Sequence, residues 1–328
     1  MLVTRESRLL RTAPGLLLAL GIAAVATGLG RLVPVVGGPV FAIVLGTLAA
    51  TLWKPLRDPR LTPGYAAAST TVLQLSIVVL GTGLQVRQVI QVGTESLPVL
   101  LGTLAIALGG AWLLGGLLHV RGDTRTLIGV GTGICGASAI AATTAVIKPK
   151  QTHVAYALGT IFACNIAAVL LFPPLGHLLG LSPHAFGLWA GTAINDTSSV
   201  VAAAYAYGGD AGEYALVVKL TRTLTLVPIV TVLAIRANRR GALPWHRLVP
   251  PFLLGFIAAV VLGSLGVLPA GLSALGPFLI TTALAGFGLS LRPDDLRRAG
   301  ARPLLLGVLL WLAVAAGSLG LQALTGTL

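Results

Sequence analysis

Five consecutive polar residues, Asn195, Asp196, Thr197, Ser198 and Ser199, interrupt the apolar run from Ala185 to Tyr207. An ionised group that deep in lipid costs at least ~2.5–3.5 kcal/mol on insertion scales, so it marks an ion pathway, a proton relay or an ion pair. Asp196 is therefore the candidate ion-coupling residue, for H+ or Na+. Asn195, Thr197 and Ser198 beside it are candidate substrate contacts. The plain alternative is an external loop that breaks a helix. A second set is Lys219 and Arg222, which share one helix face in VVKLTRTLTLVP, Val217–Pro228. Arg can hold an oxyanion through two parallel bonds, with Lys as a point charge. The pair could instead neutralise Asp196 or snorkel to the outer interface. As substrate ligands, they predict that Lys219→Ala or Arg222→Ala abolishes anion flux and leaves folding intact. A third set lies in IGVGTGICGASAIAATTAVIK, Ile128–Lys148, where Gly129, Gly131, Gly133 and Gly136 crowd Thr132, Cys135 and Ser138. Glycine lowers helix stability by about 1 kcal/mol relative to Ala, so an unwound segment is expected there. Unwinding frees backbone N–H groups at the start of the next half-helix, where the dipole favours an anion. Thr132, Gly133, Cys135, Gly136 and Ser138 are thus candidate substrate contacts; close helix packing through small residues is the alternative.

The elements that must carry these residues follow from composition. The chain has 328 residues, 55% hydrophobic and 9% charged, with a mean hydropathy of +0.93. Soluble domains carry roughly 25% charged residues, so this chain needs lipid as its solvent. In lipid only helices and closed barrels satisfy their own backbone. Apolar runs of about 20 residues without period-2 alternation select helices. The expected fold is an all-α polytopic membrane protein, one integral domain over residues 1–328, with eleven segments: Ala13–Leu32, Pro39–Trp53, Ala66–Leu84, Leu97–Val120, Leu127–Ile147, Val154–Leu179, Ala185–Tyr207, Tyr214–Ile235, Val249–Leu268, Leu272–Leu291 and Pro303–Leu324. Pro14–Leu29 follows Arg5, Arg8 and Arg11 as a signal-peptide core would, but without a clean small-x-small cleavage site it reads as a retained first helix. Trp53 and Trp245 sit at segment ends as candidate interface aromatics.

The net charge of +13 does not point to a nucleic-acid partner, because the cations sit in short clusters between apolar runs. Such clusters orient a membrane protein. With the N-terminus inside and segments alternating, Lys and Arg divide 16 inside to 4 outside, with Lys219 and Arg222 within a helix. The four outside are Arg31, Arg87, Lys148 and Lys150. This places the N-terminus in the cytoplasm and the C-terminus outside. Cys135 and Cys164 give neither metal spacing nor a disulfide framework. No HExxH, Walker loop or GxSxG is present. No metal, cofactor or enzymatic activity is therefore expected; oligomeric state is left open.

Two internal similarities suggest inverted repeats, the usual frame of secondary transporters. GTGLQVR (Gly81–Arg87) matches GFGLSLR (Gly286–Arg292), and at the same offset of 205 LPVLLG (Leu97–Gly102) matches RPLLLG (Arg302–Gly307). GTGICGAS (Gly131–Ser138) matches GTAINDTS (Gly191–Ser198), which hints at related roles for the fifth and seventh segments. Each of these is long enough to cross, so discontinuous crossing helices are the default. Were both re-entrant, one from each side, Lys148 and Lys150 would move inside and the charge division would become 18 to 2.

GTGICGASAIAA (Gly131–Ala142), GLWAGTAINDTSSVVAA (Gly187–Ala203) and ALVVKLTRTLTLVP (Ala215–Pro228), in this order and spacing, resemble the YeiH family of bacterial membrane proteins, also called UPF0324 or the sulfate exporter family. The resemblance covers most of the chain. It implies a plasma-membrane transporter of the bile-acid/arsenite/riboflavin superfamily type, with inverted five-helix repeats and crossed discontinuous helices. It also implies an anionic substrate, sulfate or a related oxyanion, and export as one direction. Where this chain has Asn195, relatives often carry His, so any proton role implied for that position passes to Asp196. The alternative function is an ion channel or a cation/proton exchanger without an anionic substrate.

Overall fold

The computed structural model describes residues 3–32, 37–236, 250–269, 271–290 and 301–328. Trp245, Val249, Leu291 and Arg292, named above, lie outside the described residues, as do Arg239, Arg240, Arg247, Arg297 and Arg298, counted among the 16 inside cations.

Among the described residues the chain is helical and has no strand. Helices α1 (Val3–Leu32) and α2 (Gly37–Leu52) precede a 3-10 turn at Lys54–Arg57. One helical run then joins α3 (Thr62–Ala66), a π-type turn at Ala67–Val72 and α4 (Leu73–Gly81). There follow α5 (Val86–Leu117), α6 (Gly122–Gly133), α7 (Ala137–Ile147), α8 (Gln151–Leu178), α9 (Pro183–Ala193), α10 (Thr197–Tyr207), α11 (Ala211–Leu224) and α12 (Leu226–Arg236). The last helices are α13 (Pro251–Ser264), α14 (Gly276–Ser290) and α15 (Ala301–Thr325). Among the described residues seven stretches are long and apolar enough to cross a membrane: Arg11–Leu32, Thr62–Gly81, Val86–Leu117, Gln151–Leu178, Ala211–Ile235, Leu272–Ser290 and Ala301–Thr325. Gly37–Leu52, Ala137–Ile147 and Pro251–Ser264 are shorter apolar helices.

Two compact units emerge: Met1–Gln88 with Pro251–Arg292, and Val89–Pro250 with Pro293–Leu328. In the first, α1 packs on α2 and α14, and α14 also packs on α2 and on the α3–α4 run. The approach is close: a Cβ added to Gly46 would lie 2.7 Å from the Ala285 carbonyl. In the second unit, α5 and α15 run antiparallel. A Cβ on Gly110 would meet Leu310 at 2.9 Å, while Gly102 lies against Leu321, farther along α15. Each pair of the 205-offset similarity thus falls within one unit, over its described part.

The second unit overturns the default of continuous crossing for the fifth and seventh segments. Asp123, in the first turn of α6, lies 3.6 Å from His153, in the first turn of α8. Helix α7 ends at Ile147, just before α8 begins at Gln151. The start of α6 and the end of α7 therefore share one end of the unit, and α6–α7 is a re-entrant hairpin. The second case repeats the geometry. His184, at the start of α9, lies 2.7 Å from Asp210, which precedes α11. Helix α10 ends at Tyr207, beside the same place. Helix α8, 28 residues long, spans about 42 Å at 1.5 Å per residue and connects the mouth of one hairpin to the mouth of the other. The hairpins hence enter from opposite ends.

Local chemistry explains the fold-backs. Helix α6 unwinds at Ile134 (φ −124°, ψ −94°) and closes with a bond of 3.0 Å from the Gly136 N–H to the Gly131 carbonyl. Gly136 holds φ +61° and ψ −125°, a backbone region essentially reserved for glycine. Helix α7 stops at Lys148, in left-handed conformation, before Pro149. Helix α9 starts at Pro183, with the Ser182 side chain accepting from the Ala185 N–H at 3.1 Å, a preferred combination of cap and first residue.

Candidate functional site

The tips of the two hairpins meet on α11. Helix α9 runs parallel to α11, and its glycines let the two close up. A Cβ on Gly187 would lie 3.0 Å from the Ala211 carbonyl, and one on Gly191 would lie 2.7 Å from Val218. This brings Lys219 and Arg222 against both tips. The Lys219 ammonium donates to the carbonyls of Ile134 and Ile194, each at 2.9 Å. The Arg222 guanidinium donates from Nε to Gly133 at 2.7 Å, from Nη2 to Thr132 at 2.6 Å and from Nη1 to Thr192 at 2.5 Å. Both side chains are 0% exposed.

These acceptors are the last carbonyls of α6 and α9. A helix C-terminus leaves carbonyls without intrahelical partners and carries about half a negative charge. Two cations one turn apart satisfy both ends at once. The GTGICGAS–GTAINDTS similarity now has a physical meaning. At its offset of 60, Thr132 matches Thr192 and Ile134 matches Ile194. Arg222 bonds the first pair and Lys219 the second. Each cation binds equivalent atoms of two inverted hairpins.

This placement bears on two of the alternatives weighed for Lys219 and Arg222. Neither snorkels, since both are fully buried. Neither forms an ion pair with Asp196 or any other carboxylate within 4.0 Å among the described residues. Their donors go mainly to backbone carbonyls, which carry no signature in the side-chain sequence.

The helices that leave the tips are not alike. At α10, Asp196 is the N-cap: its carboxylate accepts from the Ser198 N–H at 3.0 Å and also from the Ser198 hydroxyl. The equivalent position at α7 is Gly136, which has no side chain to act as a cap; the thiol of Cys135, one residue earlier, takes a hydrogen bond from the Ala139 N–H. Ser138, in its first turn, is exposed, and Ala137 is half-buried. Asn195 packs here: its backbone carbonyl lies 3.5 Å from where a Gly136 Cβ would sit. Thr197 and Ser198 are half-buried, as is Asp196. Thr132 and Cys135, in the first tip, are buried.

Asn165, within α8, has a definite task. Its Oδ1 accepts from the N–H groups of Asn195 and Asp196, at 3.3 and 3.4 Å, and so holds the unwound segment of the second hairpin. Several buried polar atoms at the crossing have no partner among the described residues: both amide atoms of Asn195, Asn165 Nδ2, Ser199 Oγ and Thr132 Oγ1. Ser318 and Gln322 were missed. Ser318 Oγ lies 2.7 Å from Thr192 Oγ1, and Gln322 donates to Ser318 at 3.3 Å. The signal that pointed to them was two polar residues within the apolar run Pro303–Leu324.

Inverted re-entrant hairpins whose tips are fastened inside a helical bundle define a polytopic α-helical membrane protein with a polar crossing at its core. The family described as conserved hypothetical protein 698 matches residues 14–307. A UPF0324 membrane protein of Streptococcus pyogenes serotype M18 is 42% identical over 335 residues, covering 97% of this chain and 98% of that relative. One from Streptococcus agalactiae serotype V is 40% identical, covering 96% and 98%, and one from Fusobacterium nucleatum is 37% identical, covering 95% and 98%. The chain belongs to the UPF0324 family of membrane proteins.

Proposed function

We propose that this protein is a secondary transporter for a small anion, sulfate or a related oxyanion, coupled to H+ or Na+. The observation that carries this is the charge held at the crossing. Lys219 and Arg222 contribute two positive charges. The C-termini of α6 and α9 contribute about half a negative charge each, and the N-termini of α7 and α10 about half a positive charge each. Asp196 contributes one negative charge. A surplus of about one positive charge remains. Burying an ion is costly unless it is paired, so a mobile anion at the crossing balances the site. The anion binds at the N-terminus of α7, Gly136 to Ser138, with the Asn195 backbone beside Gly136. Lys219 and Arg222 then act by fastening the hairpins and by their charge rather than by gripping substrate. Asp196 is the group that takes up the coupling cation.

The protein sits in the bacterial plasma membrane with its N-terminus in the cytoplasm and its C-terminus outside. Two re-entrant hairpins favour this orientation, because they leave only Arg31 and Arg87 on the outer side, an 18 to 2 division of Lys and Arg.

The test is uptake into proteoliposomes of sulfate, sulfite, thiosulfate and small carboxylates, with pH and Na+ gradients imposed separately. Saturable uptake of at least one oxyanion, raised several-fold by one gradient, is expected. Cation movement that needs no anion would instead establish a cation/proton exchanger, for which the Asp196 carboxylate at the start of α10 is the motivating feature.

A further inference from the structure

We propose that the first unit binds one anionic phospholipid, with an acyl chain in the groove between α1 and α2 and the headgroup beside Arg11. The groove lies within that unit alone, so this inference does not depend on the transport proposed above.

Leu18, Gly21, Ile22 and Val25 of α1 face Leu45 and Ala49 of α2 across an apolar groove of about 500 Å³. From Leu17 to Val25 helix α1 rises about 12 Å. Half of the ~30 Å hydrocarbon core is ~15 Å, so the groove has the length of an acyl chain from one leaflet. Gly21 marks it as built. Other glycines of this unit answer a close neighbour: a Cβ on Gly15 would lie 2.2 Å from the Leu61 carbonyl, and one on Gly30 would lie 2.3 Å from the Gly38 nitrogen. A Cβ on Gly21 would meet nothing within 4 Å. Glycine weakens a helix interior, and among the described residues no packing within the chain asks for it here. The room it keeps open is room for a bilayer component.

Charge names that component. Arg11, Leu18, Ile22 and Val25 stand at i, i+7, i+11 and i+14, within about 60° of one another around α1. Arg11 therefore continues one wall of the groove about 10 Å beyond Leu18, at headgroup depth. It is exposed and has no ion-pair partner among the described residues. Arg57 stands at the same end on the α2 side, donating to the carbonyls of Ala50 at 2.6 Å and Thr51 at 3.5 Å, just past Ala49. It keeps further N–H donors for a phosphate, which the planar guanidinium fork matches. Exposed Arg60 adds a third cation, against one carboxylate, Asp58, whose Oδ1 accepts from the Arg60 N–H at 2.8 Å. Arg31, near the other end of α1, lies about 160° away around the helix from Arg11. The groove is thus apolar along its length and cationic at one end, the pattern of an anionic phospholipid. A second copy docked here about a twofold axis along the membrane normal would bring its own Arg11 to the same level, like charge against like.

Phosphatidylglycerol and phosphatidylcholine with identical chains, titrated into the purified protein in detergent, test the assignment. The readouts are the rise in unfolding midpoint and the oligomeric state by light scattering. For the wild type, phosphatidylglycerol should half-saturate the rise at a concentration about tenfold lower than phosphatidylcholine, or lower still. Arg11→Gln should cut that preference about fivefold. Gly21→Leu fills the groove without a clash, so it should keep the wild-type midpoint in lipid-free detergent and lose the saturable response to phosphatidylglycerol. Val25→Trp, in the same groove, takes its place if that variant does not accumulate. Gly109→Leu, exposed on α5 with the same open space around it, should respond as the wild type does. Equal responses to the two lipids, or an unchanged response once the groove is filled, overturn the inference. A dimer that Gly21→Leu dissociates, with the phosphatidylglycerol response intact, overturns it in favour of a second copy.

Discussion

Arg222→Ala should yield a protein that is strongly destabilised, not one that is folded and merely inactive. The substitution strips donors from the carbonyls of Thr132, Gly133 and Thr192, all inside the bundle. A buried polar group left unsatisfied costs about 1–3 kcal/mol, so three of them cost on the order of 3–9 kcal/mol. Removing the large, fully buried side chain adds a cavity. Against a total stability of about 5–15 kcal/mol, that is most of the margin. Thermal unfolding in detergent should fall by roughly 10 °C or more, or the protein should fail to accumulate. Arg222→Lys should recover only part of the loss, because a compact ammonium cannot copy the planar fork that reaches three carbonyls. A folded Arg222→Ala protein with an unchanged midpoint and no flux would instead return Arg222 to substrate contact.

Gly136→Asp should silence anion uptake, while Gly136→Asn retains a measurable part of it. Both side chains meet the same backbone strain, about 1–3 kcal/mol at φ +61° and ψ −125°. They also meet the same neighbours, Ile161 at 3.3 Å and the Asn195 backbone at 3.5 Å from the new Cβ. What differs is one negative charge at the α7 N-terminus. In Gly136→Asp it cancels the positive surplus and competes with the substrate for the same N–H groups. Proteoliposome uptake, compared with unfolding midpoints for both variants, separates charge from strain. Equal uptake by the two would exclude the α7 end as the anion site.

The helices were legible wherever lipid dictates composition. The run Pro303–Leu324 foreshadows α15 (Ala301–Thr325), and Ala13–Leu32 ends where α1 does, at Leu32. The start of α5 was missed by eleven residues, Leu97 against Val86. The turns between carry Arg87, Gln88, Gln91 and Glu95, so hydropathy falls although the helix continues. The fold-backs were weighed, through the better charge division, but not chosen, because Leu127–Ile147 is as long as a crossing helix. What turns it back is the local closure around Gly136, and the contact of Asp123 with His153 marks the end that both arms share. Composition did locate the breaks, through the glycines before Cys135 and the polar run at Asn195. It could not tell a break that kinks from one that reverses. The similarity of GTGICGAS to GTAINDTS was visible, yet its use was not. The groups that Lys219 and Arg222 bind are main-chain oxygens, identical in every residue, so the spacing of the pair could not name them. The asymmetry between Gly136 and Asp196 stood in the same alignment and gained its significance only once both were seen to start helices.

The claim on which all of this depends is that α6–α7 and α9–α10 enter from opposite faces and turn back where they meet. It is tested by single cysteines at Arg121, Lys150, His184 and Asp210, each exposed, in a background lacking Cys135 and Cys164. Labelling in sealed, oriented vesicles uses a thiol reagent that cannot cross the membrane. Arg121→Cys and Lys150→Cys should react from one face only, and His184→Cys and Asp210→Cys only from the other. Reaction of Arg121→Cys and Lys150→Cys from opposite faces would mean that the first hairpin crosses, and the meeting of two tips at Lys219 and Arg222 would be lost.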